Sequence, residues 1–208
     1  MTPVIRLLIV DDHPAFRAGL VALLSDQRDL QVVAECGDGR QAVELYRRER
    51  PDVVLMDLRL PGLGGVEAIL AIRQYDPAAR VIVVTTYDVD EDIHRAIQAG
   101  ALSYLLKDTT KAEIVGAIRA ARAGEKVLAP AVAARLAARR RRPELTQRER
   151  EVLQRVVRGR SNKEIAAELS LAEDTVKSHL RTLFAKLGVQ DRTAAAVAAL
   201  RLGIVPLP

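Results

Sequence analysis

The sequence predicts two domains of different class: an α/β half built on a parallel sheet, then a wholly helical half. Three observations carry this. Short apolar, β-branched runs alternate with amphipathic stretches over about 120 residues, the pattern of a parallel sheet covered by helices on both faces. From Glu144 onward only helical periodicity remains. Charge divides along the same line: residues 1–123 hold 15 basic and 18 acidic residues, whereas residues 124–208 hold 17 and 9. An acidic half joined to a strongly basic half gives the second half a polyanionic partner.

Composition narrows the class further. A chain of 208 residues, 49% hydrophobic, can bury one large or two modest cores. No apolar run approaches the ~20 residues that span a bilayer, and Arg6 already interrupts the first strand. The N-terminus shows no basic segment followed by an apolar core and cleavage site, so the expectation is a cytoplasmic protein without membrane association. The single cysteine, Cys36, excludes an intramolecular disulfide and fits a reducing compartment.

Five strands are predicted in the first half, over 4–10, 30–35, 53–57, 80–85 and 102–106. Helices are predicted over 15–24, 40–49, 66–74, 91–99 and 111–123. The central stretch is Val53-Val54-Leu55-Met56-Asp57, a buried-strand pattern that ends in a carboxylate and breaks at Pro61-Gly62. Ligands of open α/β sheets bind at that carboxyl edge. Alone, Asp57 reads more readily as the start of a turn, Lys107 as a solvated lysine and Tyr104 as a core ring.

The other strand ends change that reading. The first strand delivers Asp11 and Asp12, the fourth Thr85 and Thr86, and the fifth Lys107. Converging carboxylates repel, so keeping them ionised calls for a cation. An oxygen-only donor set without a His or Cys cluster points to Mg²⁺. In such a site Asp57 can attack phosphorus, with Lys107 and Thr85 meeting charge on the phosphoryl oxygens.

The set Asp11-Asp12, Asp57, Thr85, Lys107 resembles the receiver domain of two-component response regulators. The resemblance implies a flavodoxin-like sheet in 2-1-3-4-5 order and phosphotransfer to Asp57 from a sensor histidine kinase. It implies Mg²⁺ on Asp12, Asp57 and the Arg59 carbonyl, with Asp11 behind them. Thr85 and Tyr104 would switch together, the ring turning inward, and the surface over about 87–104 would change shape. The sequence departs from the family at Leu63-Gly64-Gly65, where Asp often precedes the second Gly; the expectation is a looser loop with no ligand removed. His13 reads as a helix-start residue and His94 as a surface one.

Between the halves, residues 124–143 form a linker, partly helical and Ala/Arg-rich. Pro130 suits a first helical position, and Arg139–Arg142 is a solvated like-charge run closed by Pro143. The run reads as a hydrophilic tether, with a supporting phosphate contact as the alternative.

The second half opens with two capping boxes, Thr146-Gln-Arg-Glu149 and Ser161-Asn-Lys-Glu164. After a turn over 171–174, a helix is predicted from Thr175 to Leu187, closed by Gly188. Val176, Leu180, Leu183, Phe184 and Leu187 make its apolar stripe, with His179 beside it; Lys177, Ser178, Arg181, Thr182 and Lys186 take the opposite face. A short helix, a tight turn and a helix with a basic outer face is helix-turn-helix grammar. The segments LTQREREVL, GRSNKEIAAEL and TVKSHLRTLFAKLGV resemble the LuxR-type DNA-binding domain, and with the receiver nearly the whole chain resembles the NarL/FixJ class of response regulators.

The resemblance implies base contacts from Lys177, Ser178 and Arg181 in the major groove of double-stranded DNA. Asn162, Lys163, Thr175, Lys186 and Arg192 would hold phosphates. The last helix, predicted over 193–202, would dimerise through Val197 and Leu200; burial within the domain accounts for its alanines equally well. Ala172 stands where the family often has a capping Ser, at a cost of ~1 kcal/mol.

The expectation is therefore a receiver over 1–123, a linker over 124–143 and a helix-turn-helix domain over 144–208. Phosphorylation of Asp57 would control dimerisation, DNA binding and transcription, with an undocking of the two domains as the favoured route. The chain would be no enzyme beyond its own phosphotransfer and dephosphorylation. A dehalogenase-type phosphatase needs a second Asp at the place of Arg59, and a dinucleotide enzyme needs a Gly-rich loop where Asp11-Asp12-His13-Pro14 stands. The remaining alternative is a regulator that binds DNA constitutively.

Overall fold

The structure, a computed structural model, describes residues 4–86, 89–140 and 145–205. Tyr87, at the start of the expected switch surface, and Arg141, Arg142, Pro143 and Glu144 lie outside the described residues. The chain divides into two compact units, each described by itself.

The first unit alternates β1 (Ile5–Val10), α1 (Pro14–Leu24), β2 (Leu30–Cys36), α2 (Gly39–Glu49), β3 (Val53–Met56), α3 (Gly65–Tyr75), β4 (Val81–Thr85), α4 (Asp90–Gln98), β5 (Ser103–Leu106) and α5 (Lys111–Arg122). The five strands pair in parallel in the order β2-β1-β3-β4-β5. β3 is buried at all four positions and β4 at all five, as strands covered on both faces must be. Leu7, Ile9, Val53, Leu55, Ile82 and Val84 meet Ile114 and Ile118 of α5 and Leu20 and Leu24 of α1 in one core. By the period of two, Leu8, Val10, Val54, Met56 and Val83 face the other layer, and all are buried.

Register is what builds the edge. Val10 pairs with Met56, and the Asp57 amide donates to the Val10 carbonyl at 2.8 Å. Asp11 and Asp57 therefore leave adjacent strands at one level. Thr85 pairs with Leu106, and the Lys107 amide donates to the Thr85 carbonyl at 2.9 Å. The fifth strand thus delivers its lysine to the same edge.

The loop from β3 to α3 is held by its main chain. Gly64 is the N-cap of α3 and supplies no side-chain cap. A side chain is nonetheless impossible on two flanking glycines: a Cβ on Gly65 would overlap the Asp57 carbonyl, and one on Gly39 would overlap the Leu63 carbonyl. The loop is pinned by these close approaches, so the missing Asp does not leave it without support.

The Ala/Arg-rich stretch forms α6 (Pro130–Arg140), with Pro130 as its first residue, so helix extends through most of the expected tether. The second unit then holds α7 (Gln147–Val157), α8 (Asn162–Leu169), α9 (Glu173–Leu187) and α10 (Arg192–Arg201). Both capping boxes form: Thr146 with Glu149 and Ser161 with Glu164. α9 begins two residues before the expected Thr175. Ser170 takes a left-handed conformation at φ 53°, ends α8 and shortens the turn, while Glu173 and Asp174 favour the positive helix start. Its N-cap is Ala172, which makes no side-chain cap.

Val152, Val156, Ile165, Val176 and Leu180 form one core, and Leu153, Leu183, Ala195, Ala199 and Val205 a second. Ala195 and Ala199 are fully buried, so packing within the unit accounts for the small residues of α10. Val197 lies outside that packing and is 60% exposed.

Two stability changes follow. Gly65→Ala is expected to lower the stability of the first unit by ~1–3 kcal/mol through the forced shift of the Asp57 backbone. Gly116→Ala, in α5 with nothing within 4 Å of the added methyl, should raise it by roughly 0.5–1 kcal/mol. Opposite displacements of the first unit's unfolding midpoint in denaturant check the pair. Ala172→Ser should stabilise the helical unit by about 0.5–2 kcal/mol by adding the missing cap, read as a higher midpoint for that unit.

Candidate functional site

Asp57 follows β3 and is 3% exposed. Its Oδ1 accepts the Leu58 amide at 2.6 Å and the Arg59 amide, more weakly, at 3.3 Å. Its Oδ2 lies 2.7 Å from the Lys107 ammonium, which is also 2.7 Å from Oδ2 of Asp11. One buried cation therefore bridges carboxylates from two different strands. Burial works against the charged Lys107, but the two carboxylates outweigh it and hold its pKa above the usual lysine value. The Phe16 ring, 4.6 Å away at its centroid, closes the apolar side of the ammonium.

Asp11 is buried and committed on both oxygens, since Oδ1 accepts the His13 amide at 2.9 Å. Asp12 faces outward, with its Oδ1 2.6 Å from Nδ1 of His13, the N-cap residue of α1. Donor atoms of Asp11, Asp12, His13 and Asp57 all lie within 4.8 Å of one another, a spacing that suits one small divalent cation. Arg17 donates to the Asp11 carbonyl at 2.6 Å and pairs with Glu35, fixing the strand end from behind.

Thr85 is fully buried at the end of β4 and Thr86 is exposed just beyond it. Tyr104 is 1% exposed. Sequence reasoning used only the carbonyl of Arg59, whereas its guanidinium reaches α4, 2.7 Å from Oδ2 of Asp92. Phe16 and Arg17 were also missed; their signal is their place on the first turn after Asp11-Asp12-His13.

The second unit offers a separate surface. Lys177, Ser178 and Arg181 are exposed on one face of α9, and Lys177 pairs with Asp174 at 3.0 Å. Lys163 is exposed at the start of α8, while Thr175 and Asn162 are half-buried. Arg192 reaches back to the Arg160 carbonyl and, at 3.4 Å, to Oδ1 of Asn162, so two expected phosphate-binding residues touch each other. Lys186 lies 2.8 Å from Glu149, whose carboxylate also closes the α7 capping box at 2.7 Å. Burial opposes ionisation of Glu149, yet Lys186 and the Thr146 amide together hold its pKa below the usual glutamate value. Leu200 is half-buried beside exposed Val197. Among the described residues, no helix is long and apolar enough to cross a membrane.

Comparison with known proteins agrees with both units. Residues 7–119 match the response regulator receiver domain family, and residues 143–199 match the bacterial regulatory proteins of the luxR family. The chain is 42% identical over 203 residues to a probable transcriptional regulatory protein NarL of Mycobacterium tuberculosis, covering 95% of this chain and 94% of the relative. It is 43% identical over 209 residues to the transcriptional regulatory protein LiaR of Bacillus subtilis, covering 97% and 99%. The solved RcsB response regulator of Salmonella typhimurium superposes with a TM-score of 0.78 at 25% identity, over 93% of this chain and 98% of that one. An RcsB–DNA complex superposes at 0.74, also at 25% identity, over 94% and 97%. With both family matches in the expected order along one chain, this protein belongs to the two-component response regulators that join a receiver domain to a LuxR-type DNA-binding domain.

Proposed function

We propose that Asp57 accepts a phosphoryl group from a sensor histidine kinase and that the modification controls dimerisation and DNA binding. The observation that carries the reading is the Lys107 ammonium placed 2.7 Å from both Asp11 and Asp57 at the carboxyl edge of the sheet. Asp11 holds Lys107 beside the nucleophile, so the charge that the phosphoryl oxygens bring is met without reorganisation. One Asp57 oxygen forms the new P–O bond as the P–N bond of the donor phosphohistidine breaks. The leaving imidazole nitrogen keeps the bonding pair and is protonated by solvent. Water reverses the modification by attack on the phosphorus of the acyl phosphate, releasing inorganic phosphate and the Asp57 carboxylate; phosphotransfer and this hydrolysis are the chain's only catalysis.

Asp12, Asp57 and the Arg59 carbonyl would hold Mg²⁺, with Asp11 behind them; the clustered donor oxygens fit it. When bound, the ion would supply positive charge to the phosphoryl oxygens. Thr85 and Tyr104 form the switch pair, with Thr86 at its rim. The receiver spans 1–123, the linker 124–143 and the DNA-binding domain 144–208, and the protein acts in the cytoplasm.

Lys177, Ser178 and Arg181 read base edges from the exposed face of α9, an assignment supported by their shared exposure. Lys163, Asn162, Thr175, Arg192 and Lys186 set register on phosphates. Val197, with Leu200 beside it, forms the dimer contact on α10.

Intact-mass measurement after incubation with Mg²⁺ and a small phosphodonor is expected to show one labile phosphoryl increment on the wild type and none on Asp57→Asn. An unmodified wild type that still binds DNA would favour the constitutive regulator instead. In DNA titrations, Arg181→Ala should cost about 1–3 kcal/mol and relax preference at one base pair. Lys163→Ala should weaken all sequences alike and reduce the logarithmic salt slope by about 1.

A further inference from the structure

We propose that the Arg59 guanidinium is an exchangeable counter-ion, held by Asp92 before modification and captured by the phosphoryl group afterwards, so that charge on Asp57 is converted into opening of the first turn of α4. The inference rests on the phosphorylation reading above and adds its route to the neighbouring helix.

Arg59 is joined to both ends of this exchange. Its backbone amide contacts Oδ1 of Asp57 at 3.3 Å, and its guanidinium lies 2.7 Å from Oδ2 of Asp92. The two partners differ in surroundings: the Asp92 side chain is 13% exposed and that of Arg59 54%. The arginine can therefore move through water, whereas the aspartate is set in the protein beside buried Ile93 and Ala96. Withdrawing Arg59 leaves Asp92, the less exposed partner, without that counter-charge, which is unfavourable.

A phosphoryl group on Asp57 replaces the carboxylate's single charge with about −1.5 to −2 and brings strong acceptor oxygens. A planar guanidinium with five donors is suited to such a group, and a dianion competes well against a single carboxylate. Once Arg59 turns to it, Asp92 must find water, which it reaches only if the first turn of α4 loosens. The far turn has its own tie, Arg95 to Glu67 of α3 at 2.7 Å, and that pair is not touched by the exchange. The exchange therefore acts on the turn that carries Asp92.

The test uses the full chain with Mg²⁺, with and without beryllium fluoride as the phosphoryl mimic, and follows amide hydrogen exchange of the α4 peptide. Loading is expected to speed that exchange severalfold in the wild type. In Asp92→Asn the site still loads, shown by intact mass after phosphodonor treatment, but the change in α4 disappears, because no charge is stranded. Phosphoryl lifetime gives the second readout, with opposite signs. Asp92→Asn removes the competing carboxylate and lengthens it, whereas Arg59→Ala removes a phosphoryl contact and shortens it. A merely structural ion pair would move both variants the same way. Equal loading-dependent exchange in wild type and Asp92→Asn, or lifetimes shifted in the same direction, would overturn the exchange. A wild type that takes no phosphoryl group would instead remove the reading beneath it, and the mass measurement separates the two failures.

Discussion

The ammonium of Lys107 is the interaction on which the first unit's edge depends. Without it, Asp11 and Asp57 would stand as buried like charges at one level of the sheet, an arrangement that costs several kcal/mol or forces one of them to take up a proton. The sheet order makes the bridge possible. β1 and β3 are neighbours, so their carboxylates converge, and the β4–β5 register carries a cation in from the far side. Helix α1 completes the arrangement through the Phe16 ring and the Arg17 contact behind Asp11. A parallel sheet with its helices on both faces thus concentrates charge at one edge, and one lysine makes that concentration tolerable.

The helical unit solves a similar problem on a smaller scale. Its short helices bury little apolar area each, so their ends must be satisfied by side chains. Glu149 does this twice over, closing the Thr146 box and receiving Lys186 from the end of α9. That pair ties the first helix of the unit to the far end of the one that presents Lys177, Ser178 and Arg181. Lys186 consequently serves packing as well as any phosphate, and the same holds for Arg192 through its bond to the Arg160 carbonyl.

Much of this was legible in the chain because strand ends and caps are local. An apolar run that stops at Asp57, or at Lys107, announces both a strand and the residue delivered by it. Thr146 with Glu149 and Ser161 with Glu164 announce helix starts with equal directness. Illegible were the contacts that join distant residues through long side chains. The spacing of Arg59 and Asp92 says nothing of their pairing, and Glu149 reads only as a capping residue until α9 is packed against α7. The early start of α9 escaped for a different reason. Ser170 adopts a left-handed conformation that sequence assigns more readily to Gly or Asn, and so the turn is shorter than its composition suggests. The alanines of α10 were ambiguous because close packing inside a unit and close packing between copies ask for the same small residue.

The glycine contacts around the β3–α3 loop bear on how this sequence can drift. In the segment beside Asp57, main-chain carbonyls sit close against Gly39 and Gly65. Pro61 is exposed, while a methyl group at either glycine would overlap a main-chain carbonyl. Selection acting on the loop can reshape what it presents to a visiting protein, and so change the partner, while the chemistry beneath it is inherited intact.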